Sequence, residues 1–375
     1  MSTSKLSGLC GAIALALMLP TPAAHADHLR YGYVALDQTP LPAPYAFFAP
    51  VTVSDGRVYG TVFDESVTVS NVAVYKDGTI TIGPSGSAFV ANAAGTIGGE
   101  GMTGQAALFR HDVTTLVPAL PGQAYANVIA LGDNQLALVQ SVDSSFVSTY
   151  AYFHNGTVSA IDFGVPPGLP FNAFMNETGL VGLTNQNMTD YFWHGYRYDP
   201  HTRTSTPLPP FSGDPTDVNV LIQGVNARGD VLGYSFTDFA SANYHERVGV
   251  WNHHGVFQPY FFQTLNTSTL LFNDRNDIVI TNSADGNSYL VPTPGTRLDL
   301  ASLVANLPAG LQLTFVVSID NDGNMIGYAA DESFNFFPFM LVRLNDRDSN
   351  PGHAHVRCPV PSRIVHGLHK EHSKR

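Results

Sequence analysis

A short turn-forming pattern returns seven times along this chain, and it restricts the fold more than any other feature. The pattern is a polar turn ending in Gly, then alternating apolar residues, then often a second Gly four positions on. Its strongest copies are Asn226-Ala227-Arg228-Gly229-Asp230-Val231-Leu232-Gly233 and Asp320-Asn321-Asp322-Gly323-Asn324-Met325-Ile326-Gly327. Ser54-Asp55-Gly56-Arg57-Val58-Tyr59-Gly60 and Asn92-Ala93-Ala94-Gly95-Thr96-Ile97-Gly98-Gly99 repeat it, and Asn176-Glu177-Thr178-Gly179-Leu180-Val181-Gly182 is one residue shorter. Asp133-Asn134-Gln135 and Arg275-Asn276-Asp277 place Asn where the others have Gly. The turn residues fall at 56, 95, 134, 179, 229, 276 and 323, at intervals of 39 to 50 residues. Gly and Asn both tolerate positive φ, so the substitution preserves what a tight hairpin demands.

Each turn is followed by an alternating apolar strand, and in several copies by a further turn and strand. Examples are Val72-Ala73-Val74-Tyr75-Lys76-Asp77-Gly78-Thr79-Ile80, Ala151-Tyr152-Phe153-His154-Asn155-Gly156-Thr157-Val158 and Val248-Gly249-Val250-Trp251-Asn252-His253-His254-Gly255-Val256. Asp-Gly and Asn-Gly between such runs are hairpin signals. Four short strands per unit at this period are the signature of a β-propeller. A β-helix needs shorter coils, and a β-sandwich does not repeat itself seven times. The fold expected is all-β, a single seven-bladed propeller over residues 27–345, with six or eight blades as the neighbouring counts. The last unit lacks a fourth strand, and residues 30–36 at the other end of the chain supply an orphan one. Pairing the two closes the ring and removes two exposed edges.

Val225-Asn226-Ala227-Arg228-Gly229-Asp230-Val231-Leu232-Gly233-Tyr234-Ser235 resembles the first half of the HAF-type extracellular repeat, Ile-Asn-x-x-Gly-x-Val-x-Gly-Tyr-Ser. Val250-Trp251-Asn252-His253-His254-Gly255 resembles its second half, Ala-Phe-x-Trp-x-x-Gly. The other units match in part, and the family's eponymous tripeptide is absent. The resemblance implies an exported, propeller-like bacterial protein and brings no catalytic residue with it.

Residues 1–26 have the layout of a secretory signal peptide. Lys5 precedes an apolar run from Leu9 to Leu19, and Ala24-His25-Ala26 is a small-x-small cleavage site. The run is shorter than the roughly 20 residues that cross a bilayer. Cys10 lies near the start of the run, behind Leu9, which does not fit a lipid-anchored cysteine. After cleavage only Cys358 remains, so no intramolecular disulfide forms and cohesion must come from buried apolar surface. These features place the mature chain in the periplasm or outside the cell. Residues 27–350 hold 12 Lys and Arg against 29 Asp and Glu. That balance excludes a nucleic-acid partner, because phosphates must be neutralised by cations.

Several segments offer chemistry. The tail, 346–375, is basic and His-rich; His353, His355, Cys358, His366, His369 and His372 are metal-ligand types, in a spacing that fits no closed tetrahedral site. A solvated tail explains them as well, and no cofactor is expected elsewhere. Asp320-Asn321-Asp322-Gly323-Asn324 looks like a Ca²⁺ loop but lacks the acidic residue that would complete the ligand set, and it is in register with the hairpins. Tyr191-Phe192-Trp193-His194-Gly195-Tyr196-Arg197-Tyr198 concentrates aromatics; with Trp251, its Trp193, Tyr196 and Tyr198 are the ligand-stacking candidates. Alternation equally lets that strand pack between blades. His245-Glu246-Arg247 and His253-His254 have acid–base side chains. No Gly-x-Ser-x-Gly, His-Glu-x-x-His or phosphate loop is present, and Ser283-Ala284-Asp285-Gly286 only begins a sialidase-type Asp-box. Catalytic residues cannot be named.

The function expected is a non-enzymatic binding module for a carbohydrate, a peptide or a cell-surface component. Its ligand would be held by long loops such as 199–218 and 235–247. A secreted hydrolase or lyase with a site in the central channel is the first alternative, and a structural envelope protein the second.

Overall fold

The computed structural model describes residues 29–133, 135–263 and 267–344; the expected signal peptide and the His-rich tail lie outside these. The named strands of the described chain pair antiparallel throughout, and one 3-10 turn, Ala301–Leu303, lies between them. After β1 (Arg30–Ala35), one seven-stranded sheet runs through β2 (Tyr45–Ser54), β3 (Arg57–Asp64), β4 (Ser70–Lys76), β5 (Thr79–Ala91), β6 (Ile97–Gly101), β7 (Ala106–Arg110) and β8 (Val113–Leu116). Four-stranded sheets follow. The first has β9 (Tyr125–Leu131), β10 (Ala137–Val142), β11 (Ser148–His154) and β12 (Thr157–Ala160). The second has β13 (Gly168–Met175), β14 (Val181–Asn187), β15 (Trp193–Asp199) and β16 (Thr204–Leu208). The third has β17 (Asp217–Val225), β18 (Val231–Thr237), β19 (Glu246–Trp251) and β20 (Phe257–Gln263). The fourth has β21 (Thr267–Phe272), β22 (Ile278–Asn282), β23 (Ser288–Thr293) and β24 (Thr296–Asp299). β25 (Gln312–Ile319), β26 (Met325–Ala330) and β27 (Phe336–Leu344) take β1 as their fourth strand, with Arg30 opposite Leu344 and Ala35 opposite Phe339.

This is an all-β propeller. Contacts between inner strands run from β2 to β5, β9, β13, β17, β21 and β25, and from β25 back to β2. Seven separate blades do not form, which corrects the sequence expectation. There are five separate four-stranded sheets and one of seven strands. In the latter, residues 79–85 of β5 pair with β4 and residues 86–91 pair with β6. No loop interrupts β5, so the regular spacing of turns in the sequence conceals the continuity. β1 is held on its outer side as well: Asn306 accepts from the Tyr33 amide at 2.7 Å and donates to the Tyr33 carbonyl at 3.1 Å.

The sheets present two unlike ends. At the turn end, Asp55-Gly56, Asp77-Gly78 and Asn155-Gly156 each have two successive positive φ angles, the tight hairpin their dipeptides encode. Asn276 is also left-handed, at φ 63°. Residue 134 lies outside the described residues, and the left-handed position beside it is Gln135, at φ 64°. At the loop end lie the longer connections, including β16–β17 and β18–β19.

The repeated Asn has a double task. The Asn226 side-chain oxygen accepts from the Arg228 and Asp230 amides at 3.1 and 2.9 Å, closing its own turn. Its nitrogen donates to the next sheet, to Asn276 Oδ1 at 2.9 Å. Asn176 closes its turn alike and donates to the Asn226 carbonyl at 2.7 Å. Asn273 donates to the Asp320 carbonyl at 3.1 Å, and Asn92 to the Gly132 carbonyl at 2.9 Å. Where Gly132 replaces Asn, a backbone bond from Asp133 to the Glu177 carbonyl takes over at 2.7 Å.

The second Gly of the repeat is equally constrained. A Cβ on Gly233 would lie 2.2 Å from the Leu221 carbonyl oxygen, and one on Gly327 2.1 Å from that of Phe315. Both carbonyls belong to bulged inner strands that lean over the second strand. The apolar core lies between neighbouring sheets. Leu232, Phe236 and Val248 pack on Leu270, Ile278 and Ile280 of the next sheet, and Leu138 and Tyr150 pack on Val181, Leu183 and Tyr198. Gly327→Ala is expected to destabilise the protein by about 1–3 kcal/mol, because the carbonyl in its way is backbone. Denaturant unfolding measures this; an unchanged midpoint would show that the bulge relaxes freely.

Candidate functional site

The loop end of the β13–β16 and β17–β20 sheets gathers the densest chemistry. Asp217 opens β17 with its side chain fully buried, and Arg247 sits across the sheet near the start of β19, 6% exposed. The register that pairs Asp217 with Thr237 and Phe236 with Glu246 brings both to one end. Arg247 donates from Nη1 to Asp217 Oδ1 and from Nη2 to Asp214 Oδ2. The other Asp217 oxygen accepts from Ser235 Oγ at 2.8 Å, and that hydroxyl accepts from the Phe211 amide. The guanidinium carbon lies 5.2 Å from the Phe211 ring centre and 4.9 Å from that of Phe262.

His245 joins the cluster, with Nε2 at 3.1 Å from Asp217 and 3.4 Å from Asp214, and Nδ1 at 3.0 Å from the Asn243 carbonyl. The Thr216 hydroxyl and amide, and then Arg247, hold the Asp214 carboxyl well below the usual carboxylate range. The two carboxylates push the Arg247 guanidinium further up against the opposing effect of its burial. Next to them, burial raises the Glu246 carboxyl, and Tyr244 donates to it.

Asp214, Asp217 and His245 bring three ligand-type atoms within 4.8 Å of one another. A divalent cation does not fit there, because Arg247 already gives both carboxylates a positive charge and a hydrogen bond. For the same reason neither carboxylate is free to act as a general base. The cluster fixes the β16–β17 and β18–β19 loops. The acid–base residues singled out in His245-Glu246-Arg247 are thus brought together, but as an ion-paired brace.

Beside this brace runs a ladder of rings. Phe171 lies 4.6 Å from Trp193, Trp193 5.8 Å from Phe239, and Phe239 stacks on Tyr244 at 5.5 Å. Phe171 and Phe239 are 56% and 57% exposed, so the ladder is open to solvent. Asn219 accepts from the Trp193 amide at 2.9 Å, and His194 pairs with Asp190 at 3.0 Å on the flank.

Of the four stacking candidates, only Trp193 belongs to this surface. Tyr196 and Tyr198 are buried against the β9–β12 sheet, where Tyr198 and Phe163 meet edge to face at 5.3 Å. Trp251 is fully buried and donates from Nε1 to the Pro209 carbonyl at 2.7 Å. These three are packing residues. His253 and His254 lie in the exposed β19–β20 turn, their rings 3.9 Å apart. Asp320 closes its own hairpin through the Asn324 amide at 2.8 Å. The six tail candidates, His353 to His372 with Cys358, fall outside the described residues. Phe171, Phe239 and Tyr244 escaped sequence reasoning, though Phe239 and Tyr244 lie in the flagged loop 235–247.

A small cavity of about 160 Å³ at the turn end is lined by residues of four inner strands and by the turn residues Asn92, Glu177 and Asp320. Burial, with Asp133, Asp274 and Asp55 nearby, raises the Glu177 carboxyl. Carboxylates therefore converge at this mouth, but its lining includes no His or Arg.

No family model matches the chain, and no curated protein matches it in sequence. Solved structures do resemble it in fold. The β-propeller domain of the Trilobed protease from Pyrococcus furiosus superposes at a TM-score of 0.55 and 10% identity, over 82% of this chain and 99% of that one. A streptogramin B lyase does so at 0.51 and 13%, over 84% and 98%. An acylaminoacyl peptidase does so at 0.54 and 10%, over 80% of this chain and 52% of its own. At such identities the likeness concerns fold alone: the chain is an all-β propeller.

Arg247→Met is expected to cost about 3–5 kcal/mol, because it leaves the buried Asp217 charge without a counter-ion. The sign of the pH effect follows from Asp214. Its folded-state pKa is depressed, so its contribution is present at neutral pH and is lost as the pH falls below the ordinary carboxylate value of about 4. Chemical unfolding of both proteins at pH 7 and pH 3 measures this. A gap that does not narrow at the lower pH would show that the Asp214–Arg247 pair contributes nothing.

Proposed function

We propose that this chain is an exported, non-catalytic binding module that holds its ligand at the loop end, on the ladder of Phe171, Trp193, Phe239 and Tyr244. The exposed ladder carries this reading: rings in contact bridge two sheets, beside a charge cluster in which Arg247 pairs with Asp214 and Asp217. Flat apolar faces of a sugar or a peptide side chain suit such a surface. The acidic turn-end mouth lacks the His and Arg that would support a hydrolase or lyase there.

Counting the seven-stranded sheet as two blades that share β5 yields seven blades. The change of partner between Ser85 and Gly86 and the ring of seven inner strands support that count. The signal-like leader supports export to the periplasm or beyond, and the Asn-x-x-Gly-x-Val-x-Gly core supports units of the HAF type.

Only two tryptophans are present, and Trp251 is buried. Titration with oligosaccharides, peptidoglycan fragments and peptides is therefore expected to change the fluorescence of Trp193. Trp193→Phe is expected to abolish the signal, and Phe239→Ala to weaken binding about tenfold. A ligand that binds both variants like the parent protein would place the site elsewhere.

A further inference from the structure

The loop end has a second regularity, which meets the ladder only at Phe239. The connections between second and third strands carry an exposed apolar tip: Val67, Met102, Phe146, Tyr191, Phe239 and Phe334 are 57–84% exposed. The β22–β23 connection, with Asp285 and Gly286, is the polar exception. Three of these loops are built alike, as Asp64-Glu65-Ser66-Val67, Asp143-Ser144-Ser145-Phe146 and Asp331-Glu332-Ser333-Phe334. In each, the leading Asp accepts from two amides of the loop: Thr68 and Val69, Ser145 and Val147, or Ser333 and Asn335.

That construction forces the fourth residue into the left-handed region, at φ 56° for Val67, 64° for Phe146 and 60° for Phe334. Asn or Gly sits there at low cost, whereas a β-branched or aromatic side chain does not. Within the folded chain no side-chain packing offsets the strain, since Val67 is 63% exposed and Phe146 and Phe334 are each 80% exposed. Bulky apolar residues held in strained, solvent-facing positions on a repeated scaffold are the mark of a contact made with something else.

Charge identifies the occupant. None of the described connections at this end contains a Lys or Arg, while Asp or Glu stands in or beside most of them. The cations nearest to it are Arg247 and Arg297; the first is tied to Asp214 and Asp217, and the second lies 3.9 Å from Asp285. The Asp64 carboxyl is lowered to about 2, first by the Ser66 hydroxyl, and Asp331 is lowered by Asn335, so these tips stay anionic at any physiological pH. An anionic bilayer or a second copy of this face would be repelled.

We infer that the loop end docks a cationic polypeptide segment bearing apolar side chains, with Val67, Phe146 and Phe334 as its contacts away from the Trp193 ladder. This rests on the reading of the loop end as a binding surface and deepens it to a partner class. The test is fluorescence anisotropy with a labelled synthetic peptide of alternating Lys and Phe, against the protein and its Val67→Asn/Phe146→Asn/Phe334→Asn variant. Lys/Ser and Glu/Phe peptides and phosphatidylcholine vesicles serve as the other arms. The expected result is at least tenfold weaker binding to the variant, whose melting temperature stays level or rises because Asn relieves the strain. The Lys/Ser and Glu/Phe peptides are expected to bind the parent protein at least tenfold more weakly. Unchanged binding by the variant, equal binding of either control peptide, no peptide binding, or uptake by vesicles alone overturns the inference. Loss in Trp193→Ala with full binding by the triple variant would overturn it while sparing the ladder.

Discussion

A single side-chain amide, used twice, organises one end of this ring. Each turn Asn spends its oxygen on its own backbone and its nitrogen on the next sheet, as Asn176 does toward Asn226 and Asn226 toward Asn276. Asp can close the turn but has nothing to donate, and Ser is too short to reach the neighbour. Asp320 shows the consequence: it closes its hairpin, and the junction back to the first sheet relies on Ser318, which accepts from the Val53 amide at 3.2 Å. These bonds are buried or partly buried, so each is costly to leave unmade.

A structural duty of this kind leaves the turn end little room to vary and frees the loop end. The cations follow the division. Arg57, Lys76, Arg110, Arg228, Arg275 and Arg343 flank the turns, where Arg343 and Arg275 pair with Asp277. At the loop end Arg297 lies 3.9 Å from Asp285, and Arg247 serves as the internal counter-ion that keeps two loops in place beside Trp193.

Much of the architecture was readable because hairpin chemistry is local. Asp-Gly and Asn-Gly needed no tertiary knowledge to predict, and the missing fourth strand pointed to β1. The continuity of β5 was not readable, since Gly83-Pro84-Ser85-Gly86 looks like any loop and only pairing shows that the strand changes partner there. The binding surface was harder still. Trp193 and Trp251 have similar flanking patterns, yet one lies at a loop-end strand start and the other deep between sheets. Phe171 lies in β13 and Phe239 in the β18–β19 connection, 68 residues apart, and no linear pattern joins them. The Asp-x-Ser-apolar loops were present three times in the sequence, but their meaning depends on φ and exposure, which only the fold supplies.

The measurement that bears most directly on the amide relay is the unfolding free energy of Asn176→Asp beside the parent protein. The carboxylate preserves the cap on the Leu180 amide and replaces the donor to the Asn226 carbonyl with an acceptor that repels it. A loss of about 1–3 kcal/mol, with faster amide exchange in the turn at 226–230, is the result this account predicts. Unchanged stability and exchange would contradict it, and would leave the apolar core between the sheets and the strand closure by β1 to hold the ring together.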